Sequence, residues 1–225
     1  MTNALARAVA IAALVIVAGG CSSLLAPQPD LSKFFVLTAT STPVVPAAVP
    51  PAAGATGSLA IGVGPVTLPP YLSGHDEIAT RIVPNQIEYS ATDRWAEPLD
   101  TNFNRTLAKN IVNSLSDVQV VTFPWFKSTP VNYAIDVEVE RFERDQNGGT
   151  QLAARWTIKD GKSGNVVLVQ ESNIHHDAQS KAAAEAVAAL SADVGDLSDQ
   201  IVAVVRELQE KRSRHARKSG APQTQ

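Results

Sequence analysis

The chain has 225 residues, a formal net charge of −3, 44% hydrophobic residues and a single cysteine. That length suits one domain with extensions. Mild acidity argues against nucleic acid as a partner, and one cysteine rules out an internal disulfide.

Residues 1–20 read as a targeting segment. Arg7 precedes an uncharged run from Ala8 to Gly20 that is too short to span a bilayer comfortably. The run closes on Ala18-Gly19-Gly20-Cys21, which resembles a bacterial lipoprotein signal, although Ala18 stands where Leu or Val is commoner. The resemblance implies a diacylglycerated thiol at Cys21 and cleavage before it. The alternative is an ordinary secretory signal with an incidental cysteine. One acyl chain holds a protein only marginally, at about 0.8 kcal/mol per buried methylene, whereas two or three are effectively permanent. Ser22, not Asp, follows the cysteine, so the outer membrane facing the periplasm is the expected site.

Residues 21–30, with Pro27 and Pro29, form a short tether into a domain over 31–212. Phe34-Phe35-Val36-Leu37 predicts a first strand. Residues 39–57 collapse to Ala, Pro, Thr, Val and Gly, with too little apolar bulk to offset the entropy of ordering; a mobile, polyproline-like loop is expected. Leu59 to Val66 is the next strand. Its Gly62-x-Gly64 lacks the third glycine and the following helix of a dinucleotide fingerprint. Pro69-Pro70-Tyr71 makes a rigid turn, and strands at Glu77–Val83 and Gln86–Tyr89 flank Pro84-Asn85.

The densest stretch is Arg94-Trp95-Ala96-Glu97-Pro98-Leu99. Pro98 lacks an amide hydrogen and pushes Glu97 from helical angles, so the hexamer reads as a structured connection. A helix capped by Asp100 or Thr101 comes next, with Phe103, Leu107, Ile111 and Leu115 on one face beside Ala108 and Val112. Arg105, Lys109 and Asn113 fall on the other side.

Val118 to Phe123 is strand-like. Trp125-Phe126 after Pro124 read as a lid on the core rather than an exposed contact. From Asn132 the alternation is clean: Tyr133, Ile135, Val137 and Val139 on one face, Asp136, Glu138 and Glu140 on a solvated one. Phe142 breaks the phase, which marks a bulge or the strand's end. Asn147-Gly148-Gly149 turns the chain into a strand with Leu152, Ala154, Trp156 and Ile158 inward, and Asp160 to Gly164 turns it into Asn165–Ile174. Val166 to Val169 is apolar on both faces, as in a central strand or one covered by a partner. His175 and His176 are adjacent, point to opposite faces and cannot easily share a metal.

A helix over Gln179–Arg212 repeats Val187, Leu190, Val194, Leu197, Ile201, Val204 and Leu208 at alternating steps of three and four. Gly195 inside it marks a kink or a break, at about 1 kcal/mol relative to Ala. Residues 213–225 form a basic tail expected to be disordered, either solvated or lying on an acidic surface. The fold class is α+β: a mixed or antiparallel sheet of six or seven strands with a mid-chain helix and a long C-terminal helix over one face. No nucleophile–base pair, metal set or phosphate loop stands out, so no catalytic role and no cofactor is expected.

The Leu-Pro-Pro-Tyr-Leu run at Leu68 to Leu72, Thr80-Arg81, Asn85, the run Arg94 to Leu99 and the helix start at Arg105 to Asn110 stand in one order. In that order they resemble the PqiC family, the ABC-type transport auxiliary lipoproteins. Where that family often has Arg-Pro after the first turn, this chain has Gly74-His75-Asp76. The resemblance implies an accessory part of an intermembrane lipid transport system. Its companions would be an MCE (mammalian-cell-entry) domain protein with an ABC permease and ATPase. The lipoprotein would dock that assembly at the outer membrane as a homo-oligomeric ring; a free-standing lipid-binding envelope lipoprotein is the alternative. Tyr71, Arg81, Arg94, Trp95 and Glu97 are the candidate partner or protomer contacts. The competing possibility is that the motif only caps the core.

Overall fold

A computed structural model describes residues 29–42, 59–115, 118–126 and 128–219. The chain divides into residues 1–31 and 32–225, and the second unit holds every element below. Cys21 and residues 43–57 of the predicted loop lie outside the described residues.

Among the described residues eight strands form one mixed sheet. In chain order they are β1 (Lys33–Phe35), β2 (Leu59–Thr67), β3 (Glu77–Val83), β4 (Gln86–Trp95), β5 (Val118–Thr122), β6 (Tyr133–Asp145), β7 (Gly149–Asp160) and β8 (Val166–Asp177). The helices among the described residues are α1 (Pro70–Ser73), α2 (Leu99–Ser114) and α3 (Ala183–Ser219). The α+β class with its mid-chain and C-terminal helices is as the sequence implies, with a strand count just above six or seven.

β6 is the axis. It pairs antiparallel with β7 along nearly its whole length, and on its other side runs parallel to β2 and then β3. β5 lies outside β2, β8 outside β7, and β1 pairs parallel with the end of β4. The alternation in β6 and β7 explains this: Ile135, Val137, Leu152, Trp156 and Ile158 point to one face, where α2 and α3 cover them. Each such side chain contributes about 1.5–3 kcal/mol on burial. The indole of Trp156 donates to Ser172 Oγ at 2.9 Å, and that hydroxyl donates to Gln200 Oε1 at 2.6 Å. The heptad-like seam of α3 packs as expected, from fully buried Val194, Leu197 and Ile201 to half-buried Val204 and Leu208.

Several local expectations are corrected. α2 begins at Leu99, and its N-cap is Pro98 with no side-chain cap, not Asp100 or Thr101. The Pro98 carbonyl receives Asn102 N at 3.0 Å, and proline suits the first positions of a helix because it has no amide hydrogen to leave unpaired. Val112 is exposed while Asn113 is buried, because α2 buries a second, polar face. Asn102 Oδ1 accepts Leu37 N at 2.8 Å, and Asn110 Oδ1 accepts Thr40 N at 3.0 Å and Ser41 N at 3.2 Å. Asn113 Nδ2 donates to Ser41 O at 2.8 Å. These bonds fasten residues 37–41 onto α2 as a strap, so the first strand stops at Phe35 and the stretch after it is held, at least to Ser41.

Gly195 makes no break, since α3 is continuous. A β-carbon at Gly195 would overlap Thr40 Oγ1, so the glycine admits the strap. α3 also starts at Ala183, four residues later than expected, and runs on past Arg212 to Ser219.

β4 runs on to Trp95, so Arg94 and Trp95 end a strand and only Ala96 to Pro98 form the connection. Pro69-Pro70-Tyr71 opens a single helical turn, α1, with proline at its first position. β8 is an edge strand, so Val166 to Val169 are not central, and the expected bulge before Phe142 is a register shift between Val139 and Arg141. Of the aromatic pair, Trp125 is half-buried against Gly62, where a β-carbon would stand 2.7 Å from its ring. Phe126 is exposed and belongs to no lid.

Candidate functional site

Residues 68–81 and 141–143 build a buried carboxylate hub. Leu72, buried, pins α1 to the core, which turns the half-buried Tyr71 toward β6. Tyr71 Oη donates to Glu143 Oε2 at 2.7 Å, and the Tyr71 carbonyl accepts Tyr89 Oη at 2.9 Å. From β3, Arg81 Nε donates to Glu143 Oε1 at 2.6 Å and its Nη1 to the Pro84 carbonyl at 2.7 Å. Arg141 Nε reaches the same Oε1 at 3.0 Å, and the Phe142 amide donates to Oε2 at 3.0 Å. The Arg81 guanidinium also lies 5.9 Å from the Tyr71 ring centroid.

The Glu143 side chain is fully buried. Burial alone would raise its carboxyl, but the hydrogen bonds from Arg81, Tyr71 and Arg141 outweigh this and hold it below the ordinary value. Burial, and then Glu143 itself, push the Tyr71 hydroxyl up. Neither group is poised to move a proton near neutral pH. The four donors saturate the carboxylate, and the chemistry available is bracing and binding. Beside the hub a surface cleft of about 410 Å³ opens between the β3–β4 and β6–β7 turns, with Arg81, Pro84, Arg141 and Asp145 on its walls.

The other candidates stand apart. Arg94 Nη1 bridges Asp76 at 3.0 Å and Glu77 at 3.1 Å, across the turn that leaves α1. Trp95 is buried in the core, and its amide donates to the Asp76 carbonyl at 2.6 Å. Glu97 turns the other way: it receives Asn102 Nδ2 and Arg105, with Arg105 Nη1 on Oε2 at 2.9 Å. Tyr71 and Arg81 therefore meet on Glu143, Arg94 grips the adjoining turn, and Glu97 fastens the start of α2. Sequence reasoning missed Glu143. Its signal is the broken alternation at Phe142: the bulge brings both Phe142 and Glu143 inside, one of them charged.

Sequence reasoning also missed a second buried acid. His176 Nδ1 lies 2.7 Å from Asp193 Oδ1, and its Nε2 lies 3.4 Å from Asp196 Oδ2. The two histidines do part, since His175 instead sits by Asp177 at 3.2 Å. Burial lifts the Asp193 carboxyl to about 6 against the pull of His176, and its Oδ2 finds no partner. Among the described residues no set of three or more His, Cys, Asp or Glu could hold a metal.

The class this arrangement defines is an α+β domain whose buried charged groups brace one another. The chain belongs to the family of ABC-type transport auxiliary lipoprotein components, whose model matches residues 40–202. It is thus a lipid-anchored envelope protein associated with an ABC-type transport system. Two solved structures share the fold. A Xanthomonas campestris protein of the DUF330 family is 14% identical, with a TM-score of 0.63 over 81% of this chain and 99% of that one. An uncharacterised protein is 18% identical, with a TM-score of 0.61 over 77% and 98%. No curated protein matches the sequence.

Proposed function

We propose that the chain is a non-catalytic accessory subunit of an MCE/ABC-type intermembrane lipid transport system. It is anchored through Cys21 to the periplasmic face of the outer membrane and docks the MCE protein there as a homo-oligomeric ring. The observation that carries this reading is family membership over residues 40–202. The saturated Glu143 hub supports the non-catalytic part, because its groups are spent on one another. Tyr71 and Arg81 at the hub, Arg94 on the adjoining turn and Glu97 at the start of α2 are separate candidate partner or protomer contacts in this reading. Trp95 acts from below, by fixing the strand end that carries Arg94.

The test is crosslinking in intact cells, purification through a C-terminal tag and identification of the co-purifying proteins and lipids by mass. Recovery of an MCE protein with its permease and ATPase is the expected result. Recovery of self-crosslinked species and phospholipid alone would replace docking with a free-standing lipid-binding lipoprotein.

A further inference from the structure

Among the described residues the sheet ends in three edges, and they are not alike. β1 has three residues and opens with Lys33, the short and charged form that discourages strand pairing. β8 has twelve residues, pairs only with β7, and opens with the uncharged run Val166-Val167-Leu168-Val169-Gln170. Val166, Val167 and Val169 are 57%, 43% and 53% exposed, although valine belongs on a covered pleated surface. The far edge, β5, is the uncharged run Val-Gln-Val-Val-Thr over Val118–Thr122 and pairs only with β2. An unguarded, apolar, uncharged edge is a template for another strand.

The directions also match. β5 runs parallel to β2, and β2 parallel to β6; β8 is antiparallel to β7, which is antiparallel to β6. β5 and β8 therefore point the same way. A second copy rotated about an axis along the strands brings its β5 beside β8 as a parallel pair, with no charge on either run to oppose it.

We propose that these edges join neighbouring copies head to tail, β8 of one protomer on β5 of the next. Such a contact uses two different surfaces, leaves one of each free at every step and closes only as a ring. The occupant is a second copy because its own β5 has the same direction and lack of charge, and its five residues match the uncharged run Val166 to Gln170. This interface rests on the ring assembly proposed above.

The test uses the full-length, membrane-extracted chain carrying Val167→Cys and Gln119→Cys, both at exposed positions, treated with a short bismaleimide. The doubly substituted chain is expected to form a ladder up to the ring size, and the native chain and each single variant to stay uncoupled. Dimers from Val167→Cys alone would mean β8 pairing with β8 and overturn the head-to-tail contact. Sedimentation separates the two readings. An intact ring that fails to crosslink overturns only the interface, whereas a monomeric native chain removes the ring as well. Val169→Lys is expected to abolish the ring while moving the protomer's melting temperature by no more than about 2 °C, since the side chain is exposed. A ring that survives this change overturns the interface.

Discussion

Replacing Glu143 by Gln tests whether the buried carboxylate is the brace of the molecule. The shape is kept and the charge removed. In the native hub Oε1 accepts Arg81 and Arg141, while Oε2 accepts Tyr71 and the Phe142 amide. A glutamine offers one oxygen, so one of these pairs must face an NH2 group. If the oxygen stays with the arginines, the Phe142 amide loses its acceptor in the core, at about 1–3 kcal/mol. Both arginines then face a neutral oxygen, and breaking one side of a buried ion pair costs about 3–5 kcal/mol. Arg141 is 42% exposed and water can reach it, so the lower ends apply: about 4 kcal/mol in all.

For a domain of this size that is a fall of roughly 10 °C in melting temperature. Urea and thermal unfolding of a soluble form beginning at Ser22 would measure it, with Glu140→Gln as the exposed control, expected within about 0.5 kcal/mol. The pH dependence adds a sign. A carboxyl held below its ordinary value contributes stability above that value and loses it as the pH falls through the depressed one. The gap between native and Glu143→Gln proteins should therefore narrow below about pH 4. A loss under about 1 kcal/mol, or a gap independent of pH, would refute the reasoning.

Asp193 carries the opposite sign. Raised by burial to about 6, it adds stability below the ordinary aspartate value and loses it as the pH rises through 6. Unfolding free energy should therefore fall between pH 5 and 7 in the native protein and stay flatter in Asp193→Asn; parallel profiles would contradict this. Gly195→Ala separates helix propensity from packing. An isolated helix would gain about 1 kcal/mol, whereas the strap at Thr40 predicts a loss of about 1–3 kcal/mol with faster hydrogen exchange at residues 38–41. A stabilised variant would mean that Thr40 does not rest on this glycine.

The legible part of the chain is its periodic part. The inward residues of β6 and β7 and the seam of α3 repeat at the periods of strand and helix, and those elements form where the repeats fall. Single residues that depart from a period carry no such label. Glu143 sits beside a bulge, which slips the register by one and turns a charge inward. Its three side-chain partners come from positions 71, 81 and 141, and no local pattern announces that they meet.

The strap shows the deeper reason. Asn102, Thr106, Asn110 and Asn113 lie at steps of four, four and three, which is a helix face, but a polar one. Hydrophobic periodicity assigns such a face to solvent. Here it is buried because its amides satisfy main-chain groups of residues 37–41, with Thr106 Oγ1 on the Leu37 carbonyl at 3.4 Å. The bonds go to backbone atoms, so the strap's own sequence says little about them, and its Ala and Thr residues look like unstructured chain. Leu37, buried at 3% exposure, and Ser41, whose hydroxyl donates to Asn110 Oδ1 at 3.0 Å, anchor it by side chains. A segment held this way is positioned by the helices rather than by its own composition.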